Sequence, residues 1–295
     1  MRITVAAVQM ETTQDRRRNI EKILSFIHQA GKRGAELICF QEYCISEPPD
    51  QTQRRKDILS KAEAIPGPFT KAIGEQAKKN RIFVVAGSLI ETFRGKLYNT
   101  SPLVGSNGRL IGIYRKMHPE NVCIKYEIGC GITPGNGYPL FQTEIGKIGI
   151  MIDMDGTVPM VPEIYSLQGA EIVCWPISWS ARWNRSVGIL SQAHGIFTKC
   201  HILSANRVGL KKHVSGNVTY VGGTQITDPE GNMLSAVSDS YEGIAITEVD
   251  LDLTRKWREE IIPRDDPVHR RPTTYALVTT SSRKKRSHTL KRPIS

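Results

Sequence analysis

The chain has 295 residues, 39% hydrophobic and 23% charged, which is an ordinary globular balance and enough length for a large core. No run approaches the roughly 18 apolar residues that a membrane helix needs, and the start, Met1-Arg2-Ile3-Thr4-Val5, reads as a strand and not as a signal peptide. The six cysteines, Cys39, Cys44, Cys123, Cys130, Cys174 and Cys200, are scattered without a CxxC pair, so free thiols in a reduced, cytoplasmic protein without a zinc site are expected.

In chain order, Ile3 to Val8 reads as a buried strand. Asn19 to Ala30 puts Ile20, Ile23, Leu24 and Ile27 on one helical face, with Gly31 placed to close the helix. Leu37-Ile38-Cys39-Phe40 is the next strand and runs directly into Gln41-Glu42-Tyr43. A carboxylate at the end of a buried strand stands where α/β proteins often place chemistry, although a surface carboxylate is compatible with the same position. Phe69 to Lys79 is a predicted helix and Ile82 to Gly87 a predicted strand. Lys96 to Val104 and Leu110 to Arg115 flank Gly105-Ser106-Asn107-Gly108, a hairpin signal. The second strand delivers Lys116 and His118, and residues 119 to 138 form a long loop that contains Glu120 and Glu127.

Lys147-Ile148-Gly149-Ile150-Met151-Ile152 then stops at Asp153-Met154-Asp155-Gly156, before a helix from Pro162 to Gln168. A strand that ends in a sharp turn before a helix lifts one side chain above the sheet edge, a common seat for a nucleophile. Here that side chain is Asp153. A strand that merely ends in an Asp-Gly turn has the same local pattern. Gly169-Ala170-Glu171, leading into Ile172 to Pro176, repeats Gly34-Ala35-Glu36 before Leu37 to Phe40, which suggests two similar α/β halves. Arg185 to Lys199 is helical by pattern, and His201 to Asn206 a strand. Gly223 to Thr227 and Met233 to Val237 flank a second hairpin turn at Asp228-Pro229-Glu230-Gly231-Asn232, and Ile244 to Val249 is the last strand. Alternating helices and strands with inserted hairpins make the class α/β with mixed sheets.

The net charge of +11 is concentrated at the C-terminal end, where no acidic residue follows Asp266 but eight Lys or Arg do. Without interleaved aromatics, residues 281–295 are expected to be a disordered, solvated tail. At most they would give salt-sensitive, unselective phosphate contact, with no specific nucleic-acid partner.

Several segments together resemble the nitrilase superfamily of carbon–nitrogen hydrolases, along residues 3 to about 277. They are Phe40-Gln41-Glu42-Tyr43, Tyr114-Arg115-Lys116-Met117-His118, Gly149 to Gly156, Gly169-Ala170-Glu171, Ala205-Asn206-Arg207-Val208-Gly209, Asp228-Pro229-Glu230-Gly231 and Arg270-Arg271-Pro272-Thr273-Thr274-Tyr275. The resemblance implies a four-layer α-β-β-α sandwich over residues 1–280, associating as a homodimer or higher homo-oligomer. It implies a Glu–Lys–Cys catalytic set with no cofactor and no metal. Glu42 matches the general base, Lys116 the lysine and Glu127 the second glutamate. At residue 153 the family has cysteine and this chain has Asp153. The implied activity is hydrolysis of an amide or N-carbamoyl C–N bond, with His118, Trp175, Trp179 and Trp183 as candidates to line the substrate pocket or, alternatively, to pack in the core.

Asp153 leaves three explanations: an active-site substitution that inactivates a cysteine hydrolase, a natural non-hydrolytic homologue that binds a ligand or partner, or an enzyme with altered chemistry. A carboxylate is a far weaker nucleophile toward an amide than a thiolate. With Glu42 and Glu127 in the same pocket, Lys116 balances only part of the negative charge.

Overall fold

The computed structural model describes residues 1–50, 52–121, 127–211, 217–238, 240–261 and 271–275. Cys123 and the basic segment 281–295 lie outside the described residues, as does the proposed boundary at residue 280. The strands, in chain order, are β1 (Arg2–Glu11), β2 (Leu37–Cys39), β3 (Phe83–Val85), β4 (Leu89–Phe93), β5 (Lys96–Val104), β6 (Leu110–Arg115), β7 (Phe141–Thr143) and β8 (Gly146–Ile150). They continue with β9 (Ile172–Pro176), β10 (His201–Ala205), β11 (Arg207–Lys211), β12 (Val218–Val221), β13 (Gln225–Thr227), β14 (Met233–Ala236) and β15 (Gly243–Asp250). The helices are α1 (Arg16–Lys32), α2 (Arg55–Leu59), α3 (Pro68–Asn80), α4 (Met160–Gln168), α5 (Asn184–Thr198) and α6 (Leu251–Lys256).

Two sheets result. The first holds nine strands around parallel β1, β2 and β3, with β15 antiparallel to β1 and the β5–β6 hairpin at one side. The second holds six, built on parallel β8, β9 and β10. Alternation along β1 explains the layering, because successive side chains of a strand face opposite ways. Val5 and Ala7 join Leu37 and Cys39 against Ile148, Ile150, Ile172 and Cys174 of the facing sheet. Ala6 and Val8 turn the other way, onto Ile23 and Ile27 of α1 and Phe69 and Ile73 of α3. On the far side, Val173 and Ile202 meet Val161 and Tyr165 of α4 and Val187 of α5. This is the mixed α/β sandwich, helix–sheet–sheet–helix, with β1 buried on both faces from Val5 to Val8 and apolar without a break there. Each fully buried Val, Leu or Ile contributes roughly 1.5–3 kcal/mol, so the sheet-to-sheet layer is the main store of stability.

The helix at Asn19 to Ala30 begins earlier and ends later than its apolar face. Asp15 caps it by accepting from the amides of Arg17 and Arg18. Gly31 does not close it; α1 continues to Lys32, and the left-handed residue that turns the chain is Gly34, at φ +80°. The pattern also gave no sign of β4, β7, β11 and β12. Among the described residues, no helix is long and apolar enough to cross a membrane.

Candidate active site

Glu42 follows β2 by three residues. Its amide donates to the Ile177 carbonyl (3.2 Å), which ties the end of a strand in the first sheet to the segment after β9 in the second. Lys116 is the residue after β6, held by its amide on Asn99 O (2.9 Å) and by Gly135 N on its carbonyl (2.8 Å). Asp153 stands at the turn after β8, with a left-handed φ of +51° that a non-glycine residue adopts only at a cost. The elbow expected from the sequence is therefore present. Trp175 holds it from below: its indole N–H donates to the Asp153 carbonyl (3.0 Å). A Cβ on Gly156 would come within 2.3 Å of that ring, so the turn can lie on the tryptophan only with glycine there.

The side chains converge on one ammonium. Lys116 Nζ donates to Glu42 Oε1 (2.8 Å), Glu127 Oε2 (2.7 Å) and Asp153 Oδ2 (3.2 Å), and all four side chains are fully buried. Asn99 Nδ2 bridges the two glutamates, reaching Glu42 Oε1 and Glu127 Oε1, each at 2.8 Å. Tyr43 OH (2.5 Å) and the Glu120 amide (2.6 Å) complete the shell of Glu127. The second oxygen of Asp153 accepts from the Ser178 amide (3.2 Å).

Burial alone would lower the pKa of Lys116. The carboxylates of Asp153, Glu127 and Glu42 outweigh it and hold the ammonium well above its usual range. Lys116 is thus a fixed positive charge and not a proton acceptor at neutral pH. Burial, followed by the charges of Glu127 and Glu42, likewise keeps the Tyr43 phenol protonated, so it serves as a donor. Three carboxyls around one buried ammonium is an expensive arrangement for stability alone, since desolvation of ions costs several kcal/mol each. It is a dry, preorganised field of the kind that stabilises charge developing on a reacting group.

Asp155 forms a second knot beside the first. Its carboxylate accepts from Tyr114 OH (2.7 Å), the Ile152 amide (2.9 Å) and the His118 amide (3.0 Å), and it contacts His118 Nδ1 (2.8 Å). One side chain thereby joins the elbow to the segment that carries Lys116. His118 is a neighbour of the site through Asp155, with no direct hydrogen bond to the Lys116 set. Trp175 and Trp179 lie beneath the elbow, edge to face at 5.4 Å, and Trp183 is about half exposed at 47%. Asn99, Tyr43 and Ser178 were not expected from the sequence. Only Tyr43 carried a signal, as the neighbour of Glu42. Among the described residues, no group of three or more His, Cys, Asp or Glu is arranged to hold a metal, and the Lys116 ammonium occupies the point where the carboxylates meet.

Residues 4–259 match the carbon-nitrogen hydrolase family. The N-carbamoylputrescine amidase of Solanum lycopersicum is 27% identical over 94% of this chain and 95% of its own length. The omega-amidase of Mus musculus is 26% identical over 87% of this chain and 92% of its own. In structure, a carbon-nitrogen hydrolase from Helicobacter pylori superposes with a TM-score of 0.83 at 24% identity, covering 94% of this chain and 98% of that one. Nit3 of Saccharomyces cerevisiae, a member of the nitrilase superfamily, superposes at 0.75 and 20% identity over 88% of this chain and 94% of that one. These two likenesses establish the fold.

Proposed function

The chain belongs to the carbon-nitrogen hydrolase family, and from that premise we propose that its buried Glu42–Lys116–residue 153 set is the site for an amide or N-carbamoyl substrate. The observation that carries the proposal is the bridging of Glu42 and Asp153 by one ammonium at a strained elbow. In this reading Lys116 polarises the substrate carbonyl and stabilises its oxyanion, Glu42 is the general base, and Glu127 orients the ammonium. The relatives named as amidases support the substrate class.

With thiolate at residue 153, the sulfur would attack the carbonyl carbon while the amine or ammonia leaves with a proton from Glu42, and water activated by Glu42 would then cleave the thioester. With Asp153 the same attack would give an anhydride by way of a much poorer nucleophile. We assign this form to ligand binding with hydrolysis lost. Its carboxylate is already satisfied by Ser178 and Lys116, which also suits a ligand-binding homologue that never hydrolyses. Asp153→Cys separates the two. The expected result is release of ammonia or amine from primary amides or N-carbamoyl amines, at least about 10³-fold above the parent. Glu42→Gln on that background should remove it by roughly 10²–10⁴-fold. A Cys variant that binds such compounds but turns none over would favour the non-hydrolytic homologue.

A homo-oligomer is part of the same proposal. Met160 of α4 and Ile189, Ile196 and Phe197 of α5 form an exposed apolar face, suited to a second copy of the chain. Light scattering giving a monomer mass at micromolar concentration would remove this part.

A further inference from the structure

A cavity of about 470 Å³, lined by none of the Lys116 set, lies between the segment after Glu42 and the end of β11. That volume is within the range of small-ligand sites. Its walls carry polar groups that the protein leaves unused. Ser46 Oγ, Gln53 Oε1 and Lys211 Nζ line it, and each atom is buried without a hydrogen-bond partner. The Lys211 side chain is only 9% exposed, and its ammonium stands 3.4 Å from Glu47 Oε2. The other oxygen of that carboxylate is taken by Arg207 Nη2 (2.9 Å). Arg207 is buried against the Tyr220 ring with Nε and Nη1 unpartnered. Lys61, also in the wall, makes no ion pair among the described residues.

The charge does not close. Arg16 is cancelled by Glu63. Among the described residues, Lys211 and Lys61 of the wall and Arg207 behind Glu47 then stand against Glu47 and Asp50, one positive charge in surplus. Buried polar groups are ordinarily paired, and an unpaired buried ammonium is more costly than most. Burial pushes the pKa of Lys211 down, and burial together with Lys211 does the same to Lys61. The Glu47 contact does not offset the burial of Lys211, and Lys61 makes no ion pair among the described residues. The remaining lining, from Gln14, Thr52 and Ser60, offers hydroxyls and amides.

We infer that this cavity is a second ligand site, built for a small monocarboxylate whose body carries hydroxyl or amide groups. The carboxylate would sit between Lys61 and Lys211 and use the surplus charge, as charge-assisted bonds favour. Ser46 and Gln53 would receive the polar body. This assignment does not depend on the function proposed for the Lys116 set.

The test is calorimetric titration of the full chain with lactate, with 1,2-propanediol as the uncharged analogue and inorganic phosphate as the alternative anion. Saturable lactate binding is expected, with none for the diol. Lys61→Gln and Lys211→Met should each weaken lactate by about tenfold or more, while Asp153→Asn leaves it unchanged. Lys61→Gln breaks no ion pair, so its result stands even if Lys211→Met disturbs the fold through Glu47. The inference is overturned if lactate shows no saturable binding, if phosphate binds more tightly, or if Asp153→Asn removes the binding and Lys61→Gln does not.

Discussion

The two Gly-Ala-Glu junctions show the same local solution reached twice. At Gly34 and Gly169 the chain turns with φ +80° and +89°. The following glutamates then anchor to the neighbouring strand in the same way. Glu36 N donates to Thr4 O (2.7 Å) and Glu171 N to Lys147 O (2.8 Å). Their side chains accept from those same residues, at 3.1 and 2.8 Å. Each then leads a central strand of parallel register, β2 or β9. The halves part at the strand ends. β2 leads to Glu42, β9 to Ser178. β8 stops at the Asp153 elbow, whereas β1 runs on to Glu11 and pairs with β11. The duplicated part is the frame, and the buried Lys116 cluster occupies the places where duplication fails. Glu42 from one half and Asp153 from the other are both held by Lys116, which follows an inserted hairpin.

The most severe way to break this arrangement is Lys116→Met. It leaves three buried carboxyls without their cation, and removal of one partner of a buried ionic set typically costs about 3–5 kcal/mol. Urea unfolding should show a loss of that order at pH 7, with part of it recovered at lower pH as a carboxyl takes up a proton. A loss below about 1 kcal/mol would mean that the cluster is not held as described.

Acid should distinguish the halves next. His194 and His201 both belong to the second half, and burial pushes each pKa down to about 4. A histidine depressed in the folded state contributes stability that is complete above about pH 6.5, and that stability is lost as pH falls toward 4, because the unfolded chain binds the proton first. A loss on the order of 1–3 kcal/mol is expected across that window. Hydrogen exchange should show β9, β10 and α5 opening before β1, β2 and α1. His194→Gln should flatten the pH slope. His194 also reaches Gly156 O (2.9 Å) and packs on Trp175, so the elbow should loosen with it.

The finest test compares the junctions themselves. Glu36→Ala should cost about 1 kcal/mol, for one amide left without its acceptor. Glu171→Ala should cost more by some tenths of a kcal/mol, since Glu171 also pairs with Arg255, whose side chain is 44% exposed. Equal losses would mean that the Arg255 pair contributes nothing to stability.

Much of the frame is local and was readable. Apolar runs of strand length, the Gly105–Gly108 and Asp228–Asn232 turns and the paired Gly-Ala-Glu segments are decided by near neighbours, and they appear where the pattern puts them. Glu42, Lys116 and Asp153 were readable as residues because each follows within three residues of a strand end. What the strand pattern could not show is that they meet, for the contacts from Lys116 to Glu42 and Asp153 span 74 and 37 residues. Asn99 is a polar residue in an alternating strand until folding sets it 2.8 Å from two glutamates. β7, at three residues, is too short to show a period, and β11 and β12 pair with each other and join the first sheet at Met10 and Glu11 of β1, far away in the chain. Gly31 had the residue type of a helix stop, but α1 runs on over the first sheet and turns at Gly34, where the chain must enter β2. Turns and periods depend on residues a few positions apart, whereas the burial of three carboxyls around one ammonium depends on two sheets closing over each other.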